Sequence, residues 1–235
     1  MKRINIGNPL EILFPENCIV CKRERFLNDI PICKNCYLKL KRVGGNLCSV
    51  CGINIEKGEI LCSKCKEGRY FFDYVRSVYY YDNITSTIIK NFKYNNIKSL
   101  GSFIANSLYL KIEEDLNFQN VEFITYIPQS FLKSYNRYFN QSLLIASDLS
   151  ELTGIPLVCE IIKQKETIIN QAMLPKFLRE KRSKMFYPEK KDFKCCSILL
   201  VDDVFTTGKT LSEAAKILKE YYSIEKVFGL TFARS

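Results

Sequence analysis

No histidine occurs anywhere in the 235 residues. That absence removes Ser-His and Cys-His nucleophilic schemes, imidazole general bases and mixed Cys/His zinc sites, so any chemistry must rest on positioning, carboxylates or backbone donors. Nor does any apolar run approach the roughly 18 residues of a membrane span. The N-terminal candidate, Leu10 to Pro15, is short and interrupted by Glu11. The reading is a chain without anchor or secretory signal, not inserted in a membrane and expected in the cytoplasm. Acids are comparatively scarce, 25 Asp+Glu against 35 Lys+Arg, for a formal charge of +10. The excess is uneven, with ten basic and four acidic residues between 163 and 194. Such a stretch suits phosphate-rich partners, nucleic acid or a small anion, and equally suits a solvated face.

Cysteine, in contrast, is plentiful and regularly placed. Four Cys-x-x-Cys pairs follow one another: Cys18 with Cys21, Cys33 with Cys36, Cys48 with Cys51, and Cys62 with Cys65, separated by 11, 11 and 10 residues. Eight thiols in this two-plus-two spacing, in a chain read as cytosolic, predict two tetrahedral all-cysteine zinc sites rather than a disulfide framework. With two ions bound, the net charge falls to about +6. So short a module has little core of its own, and metal binding, worth on the order of 10 kcal/mol per site, would supply most of its folding energy. Equal gaps fit both ribbons in series and an interleaved cross-brace. Cys159, Cys195 and Cys196 lack a metal spacing and are expected to be buried thiols.

The stretch that organises the rest is Ile198 to Thr210, Ile-Leu-Leu-Val-Asp-Asp-Val-Phe-Thr-Thr-Gly-Lys-Thr. The apolar run Ile198–Val201 reads as a buried parallel strand, and in open α/β sheets the ligand crevice lies beyond the carboxyl ends of such strands. Asp202 and Asp203 would be solvated there and free to accept hydrogen bonds from vicinal sugar hydroxyls. Thr206, Thr207, Gly208, Lys209 and Thr210 would bring backbone N–H groups and hydroxyls to a helix N-terminus, which favours phosphate. Gly208 permits close backbone approach. The helix is predicted from Leu211, Ala214, Ala215, Leu218, Tyr221 and Tyr222. A Walker A loop would need glycine where Asp203 stands, and a response-regulator pocket would need more chain than the 25 residues after Thr210.

Elsewhere, strand-like runs cover Val75–Tyr81, Val121–Pro128, Leu157–Ile162 and Lys226–Ala233, and helical stripes cover about Thr85–Tyr94, Ile97–Ile112 and Asn140–Glu151. Lys90 and Lys98 read as solvated. Alternation of strands and helices from about residue 74 implies an α/β domain with a largely parallel sheet.

The Asp202–Thr210 stretch is similar to the signature of type I phosphoribosyltransferases. Together with the cysteine pairs, Phe92-Lys93-Tyr94, Arg137-Tyr138-Phe139-Asn140-Gln141 and the Gln171–Phe186 region, the chain resembles the ComF family over nearly its whole length, its ComFC members in particular. The family's Arg-x-x-Asn pattern departs here, with Arg182 in place of asparagine. The resemblance implies a double zinc ribbon over 1–70 and, over 71–235, a phosphoribosyltransferase-like sheet with helices on both faces. It favours ribbons in series. It further implies phosphoribosyl pyrophosphate with magnesium as ligand, held by Asp202, Asp203, Val204, Phe205, Thr206, Thr207, Gly208, Lys209 and Thr210, with Gln129 and Ser130 at the pyrophosphate. The implied role is DNA uptake in natural transformation, with single-stranded DNA and a DNA-uptake helicase as partners. A metabolic phosphoribosyltransferase with an unidentified acceptor is the alternative.

Overall fold

The computed structural model describes residues 17–23, 30–95, 97, 99–128, 140–164, 185–189 and 192–235. The apolar patch at Leu10–Phe14, Lys98, Gln129, Ser130, Lys133, Arg137 and the 165–184 part of the basic stretch, with Gln171, Leu174, Arg179 and Arg182, lie outside these residues.

Four parallel strands form the centre: β1 (Tyr74–Tyr80), β2 (Phe123–Tyr126), β5 (Ser197–Phe205) and β6 (Lys226–Arg234), in the order β1-β6-β5-β2. A short antiparallel pair, β3 (Ile162–Gln164) and β4 (Phe186–Pro188), stands apart. A continuous apolar run marks β5 because it is buried on both faces. Leu199 and Val201 join one cluster, with Ile88, Phe92, Leu100, Ile104 and Leu149. Ile198 and Leu200 join the other, with Leu211, Ala214, Ala215 and Leu218. All four strand residues have no exposed surface, and each such side chain contributes about 1.5–3 kcal/mol of burial.

The first cluster is roofed by α3 (Asn83–Tyr94), α4 (Ser99–Glu114) and α5 (Gln141–Thr153), the second by α6 (Lys209–Tyr222). Helix ends are set by local chemistry. The Asp82 carboxylate accepts from the amides of Ile84 and Thr85 while Thr85 Oγ1 accepts from the Asp82 amide, a reciprocal cap that starts α3 two residues before the first predicted position. Asn140 caps α5, and Gly154, at φ +72°, closes it. No helix among the described residues is long and apolar enough to cross a membrane.

The sheet and its helices match the expected architecture, with three departures. β5 does not stop at Val201: Asp202, Val204 and Phe205 stay in register with Thr231, Ala233 and Arg234, so the acids lie within the strand. Leu157 makes only an isolated bridge to Ile124, following a proline that cannot donate to a ladder, and the predicted strand there is displaced to Ile162. Cys159 and Cys196 are exposed and Cys195 half-buried, contrary to expectation, because they lie in connections outside the core.

Ahead of the sheet lie two small four-cysteine modules in series. In each, one Cys-x-x-Cys forms a tight knuckle and the other opens a helical turn, α1 (Lys34–Leu38) after Cys33 and α2 (Ser63–Lys66) after Cys62. The knuckles close by Lys22 N–H to Cys18 O at 2.9 Å and Gly52 N–H to Cys48 O at 3.0 Å. The first module shares the α3/α4 cluster through Ile19 and Ile32, whereas Cys48 and Cys51 share the α6 cluster with Phe72 and Val75. Residues 41–43 also cover the outer edge of β1, with Val43 N–H to Val78 O at 2.8 Å.

Candidate functional site

The acidic pair lies at the carboxyl end of β5, but Asp203 is not solvated. Its carboxylate is buried against the Lys93 ammonium from the last turn of α3, their side chains 9% and 21% exposed. Among the described residues Oδ2 takes no other donor. Asp202 Oδ1 accepts the Asp203 amide at 2.9 Å and Ser142 Oγ at 3.3 Å. The neighbouring Gln141, fully buried, donates from Nε2 to the Lys93 carbonyl at 3.3 Å. Three segments far apart in sequence, Phe92-Lys93-Tyr94, Asn140-Gln141-Ser142 and Asp202-Asp203, therefore meet at one place. Burial, and next the Asp203 charge, push the Asp202 carboxyl up to about 7, against the pull of the Asp203 amide, Lys93 and Ser142. Near neutrality Asp202 is therefore only partly ionised.

Beyond the acids, Val204 and Phe205 turn their side chains into the two packing clusters, so any ligand contact from them falls to their backbone. Thr206, Thr207 and Lys209 are exposed, while Gly208 is buried at φ +77° as the N-cap of α6. A Cβ at Gly208 would stand 2.8 Å from both Phe205 Cζ and Tyr70 Cε1, so only glycine fits this bend. No side chain caps the helix at Gly208; Thr207 Oγ1 makes a long 3.4 Å contact to the Lys209 amide. The first turn thus presents amide donors and the positive end of a 14-residue helix beside the acids. Pro128 stays close, since the Ile127 amide donates to Val201 O at 3.0 Å. Gln129 and Ser130 fall outside the described residues.

The cysteines gather as Cys18, Cys21, Cys33 and Cys36, and as Cys48, Cys51, Cys62 and Cys65, the ligand atoms of each set all within 4.8 Å of one another. Zn–S bonds of about 2.3 Å place tetrahedral sulfurs roughly 3.8 Å apart. The Cys21–Cys33 and Cys51–Cys62 sulfurs lie at 3.7 and 3.6 Å, and no cysteine is in a disulfide. Burial raises the Cys48 thiol, but N–H donors from Cys62, Cys51 and Val50 outweigh it and bring it down to about 6. Burial pushes Cys51 up to about 11, a thiol that a bound cation would ionise. Four thiolates around a divalent ion carry about −2. Two buried arginines face that charge at the second module: Arg234 Nη1 donates to Cys51 O at 2.9 Å, and Arg76 Nη2 to Ser49 O at 3.2 Å. The residues fit zinc, and the pairing is serial. Arg76, Arg234, Tyr70 and Ser142 were not legible as site residues; inside apolar or aromatic runs they carry no local pattern.

Comparison with known proteins agrees with the four-cysteine geometry. Residues 9–66 match the double zinc ribbon domain family. The chain is 27% identical over 227 residues to competence protein F of Haemophilus influenzae, covering 94% of this chain and 98% of that one. Competence protein ComFC of Bacillus subtilis is 28% identical over 216 residues, covering 88% and 85%. The chain is thus similar over most of its length to proteins named for competence. The DNA utilization protein YhgH of Escherichia coli is 24% identical over 207 residues, covering 87% of this chain and 91% of that one. Among solved structures, an adenine phosphoribosyltransferase aligns at a TM-score of 0.40 and 14% identity over 60% of this chain and 74% of that one. A purine phosphoribosyltransferase from Pyrococcus horikoshii aligns at 0.34 and 17% over 58% and 83%.

Proposed function

We propose that this ComF-type protein binds phosphoribosyl pyrophosphate, or a closely related phosphosugar, and acts on DNA during uptake. The observation that carries the reading is the meeting of Asp202 and Asp203 with an uncapped, glycine-hinged helix start at the carboxyl ends of parallel strands. Vicinal ribose hydroxyls can donate to the Asp202 carboxylate, Asp203 being held by Lys93, while the Thr206–Thr210 amides and hydroxyls receive the 5'-phosphate. Magnesium would accompany the pyrophosphate, because this ion binds mainly through water and phosphate oxygens; Gln129 and Ser130 are the residues proposed to meet it. No carboxylate cage occurs among the described residues, which suits an ion that comes with its ligand.

The DNA part rests on different support: two relatives named for competence and one for DNA utilization, and the basic 163–194 stretch. Single-stranded DNA would be met by Lys and Arg at phosphates and by Tyr and Phe as stacking surfaces. Two measurements test the whole. Calorimetry with phosphoribosyl pyrophosphate and magnesium should give saturable binding that Asp202→Asn with Asp203→Asn abolishes. Affinity for an oligonucleotide should fall steeply with salt, and a flat salt response would end the DNA proposal. Steady pyrophosphate release with one nucleobase of a panel would instead indicate a metabolic transferase.

A further inference from the structure

Tyr70 stands between the second four-cysteine module and the Thr206–Thr210 bend. Its place is fixed from the cysteine side. The amides of Lys66, Glu67, Gly68 and Arg69 donate to the carbonyls of Cys62, Ser63, Cys65 and Lys64 at 2.9, 3.0, 3.1 and 3.2 Å. Gly68, at φ +65°, then turns the chain. The phenol arrives at the bend immediately after: Tyr70 Oη donates to Thr207 O at 2.9 Å. Its ring stacks on Phe72 at 4.6 Å, and Phe72 meets Phe205 edge-on at 6.1 Å. The Phe71 amide donates to Ser212 Oγ in the first turn of α6 at 3.1 Å. From the other side Arg234 holds Cys51 O and lies over the Phe205 ring, 5.1 Å from its centroid.

A peptide unit is planar, so its carbonyl and the following N–H point in opposite directions. Holding Thr207 O toward Tyr70 therefore aims the Gly208 N–H away from it. The bend is oriented by a residue whose own position depends on the fold around Cys62 and Cys65. The first module is packed differently, against Ile88, Phe92 and Leu100.

We propose that Tyr70 is a positioning residue for sugar-phosphate binding, and that the second four-cysteine module, unlike the first, is thereby a structural part of that site. The inference rests on the phosphosugar reading and adds to it a linkage: whatever loosens the second module weakens the ligand, and by reciprocity the ligand steadies the second module.

The test uses the full, zinc-loaded chain and ribose 5-phosphate as probe. Tyr70→Phe keeps the ring stacked and removes one hydrogen bond, so affinity should fall roughly fivefold. Tyr70→Ala should lose clearly more, while pyrophosphate binding changes little in either variant. In wild-type protein, saturating ribose 5-phosphate should raise the chelator concentration needed to expose Cys62 and Cys65 to alkylation and leave that for Cys33 and Cys36 unchanged. The wild-type experiment remains decisive if a Tyr70 variant retains less than its full zinc. Unchanged affinity in both variants, or protection that is absent or equal at the two modules, overturns this inference alone. Failure of wild-type protein to bind ribose 5-phosphate overturns the phosphosugar reading and this inference with it.

Discussion

Lys93→Met is the most informative single change, because it removes the cation from Asp203 Oδ2, a buried oxygen with no other donor among the described residues. Methionine keeps the length and the apolar stem of the lysine, so the cost isolates the charge. Breaking a buried ion pair by deleting one partner costs about 3–5 kcal/mol. Asp203 is 9% exposed, but Lys93 keeps 21% of its side chain in solvent, which screens part of the attraction. The expected loss is therefore roughly 2–3 kcal/mol. With a urea dependence of about 2–3 kcal/mol per molar, the unfolding midpoint of the zinc-loaded protein should drop by around 1 M. Lys93→Met combined with Asp203→Asn should recover most of that, since a neutral amide does not need the ammonium. A single variant that shifts the midpoint by less than about 0.2 M, or a double variant no better than the single, would refute the claim that Lys93 balances a buried charge.

Asp202 supplies a pH test. Its folded value of about 7 lies above its ordinary 3.8, so the fold favours the protonated form; that contribution is fully present below about pH 4 and is lost as pH rises through 7. Asp202→Asn, neutral throughout, should be more stable than wild type by up to about 4 kcal/mol at pH 8 and by only about half as much at pH 5.5, read from urea midpoints; equal midpoints at pH 8 would contradict the assignment. Zinc analysis should give two ions per chain, and chelation should melt residues 18–65, seen as loss of amide protection there, with a smaller loss in β1 and β6 beside Arg76 and Arg234 while β2 stays protected. Gly208→Ala forces a Cβ into Phe205 and Tyr70 at 2.8 Å and strains a backbone at φ +77°, so thermal unfolding should show a loss of about 2–4 kcal/mol.

How far the sequence predicts this arrangement depends on the range of the interactions involved. β5 and α6 were legible because a doubly buried strand and an amphipathic helix write their environment into consecutive residues. The cysteine ligands were legible as a set, since metal spacing is local. Their pairing was not: gaps of 11, 11 and 10 residues are equivalent along the chain, and the choice is made by which apolar surfaces each pair meets. Burial of Asp203 was missed for the same reason. Nothing beside Asp203 in sequence announces an ammonium 110 positions earlier, and Lys93 was distinguished from Lys90 only by its Phe-Lys-Tyr context.

Arg76 and Arg234 take this reasoning one step further. Each lies within a β-strand whose neighbours are buried, a position where an uncompensated charge would cost several kcal/mol. Cys51 O and Ser49 O supply hydrogen bonds, and the Tyr74 and Phe205 rings lie 3.8 and 5.1 Å from the two guanidinium carbons. These contacts are neutral and leave two positive charges beside the Ser49–Cys51 segment. Burial pulls the Arg234 guanidinium below its usual value, and the Arg76 charge adds to the fall, against the pull of Cys51. A four-thiolate zinc centre would carry the opposite charge of matching size, so a bound ion and the two arginines would stabilise each other. Loss of the second zinc would therefore destabilise more than the ribbon. It would leave two buried cations, Arg76 within β1 and Arg234 at the end of β6, the latter over the Phe205 ring that precedes the bend.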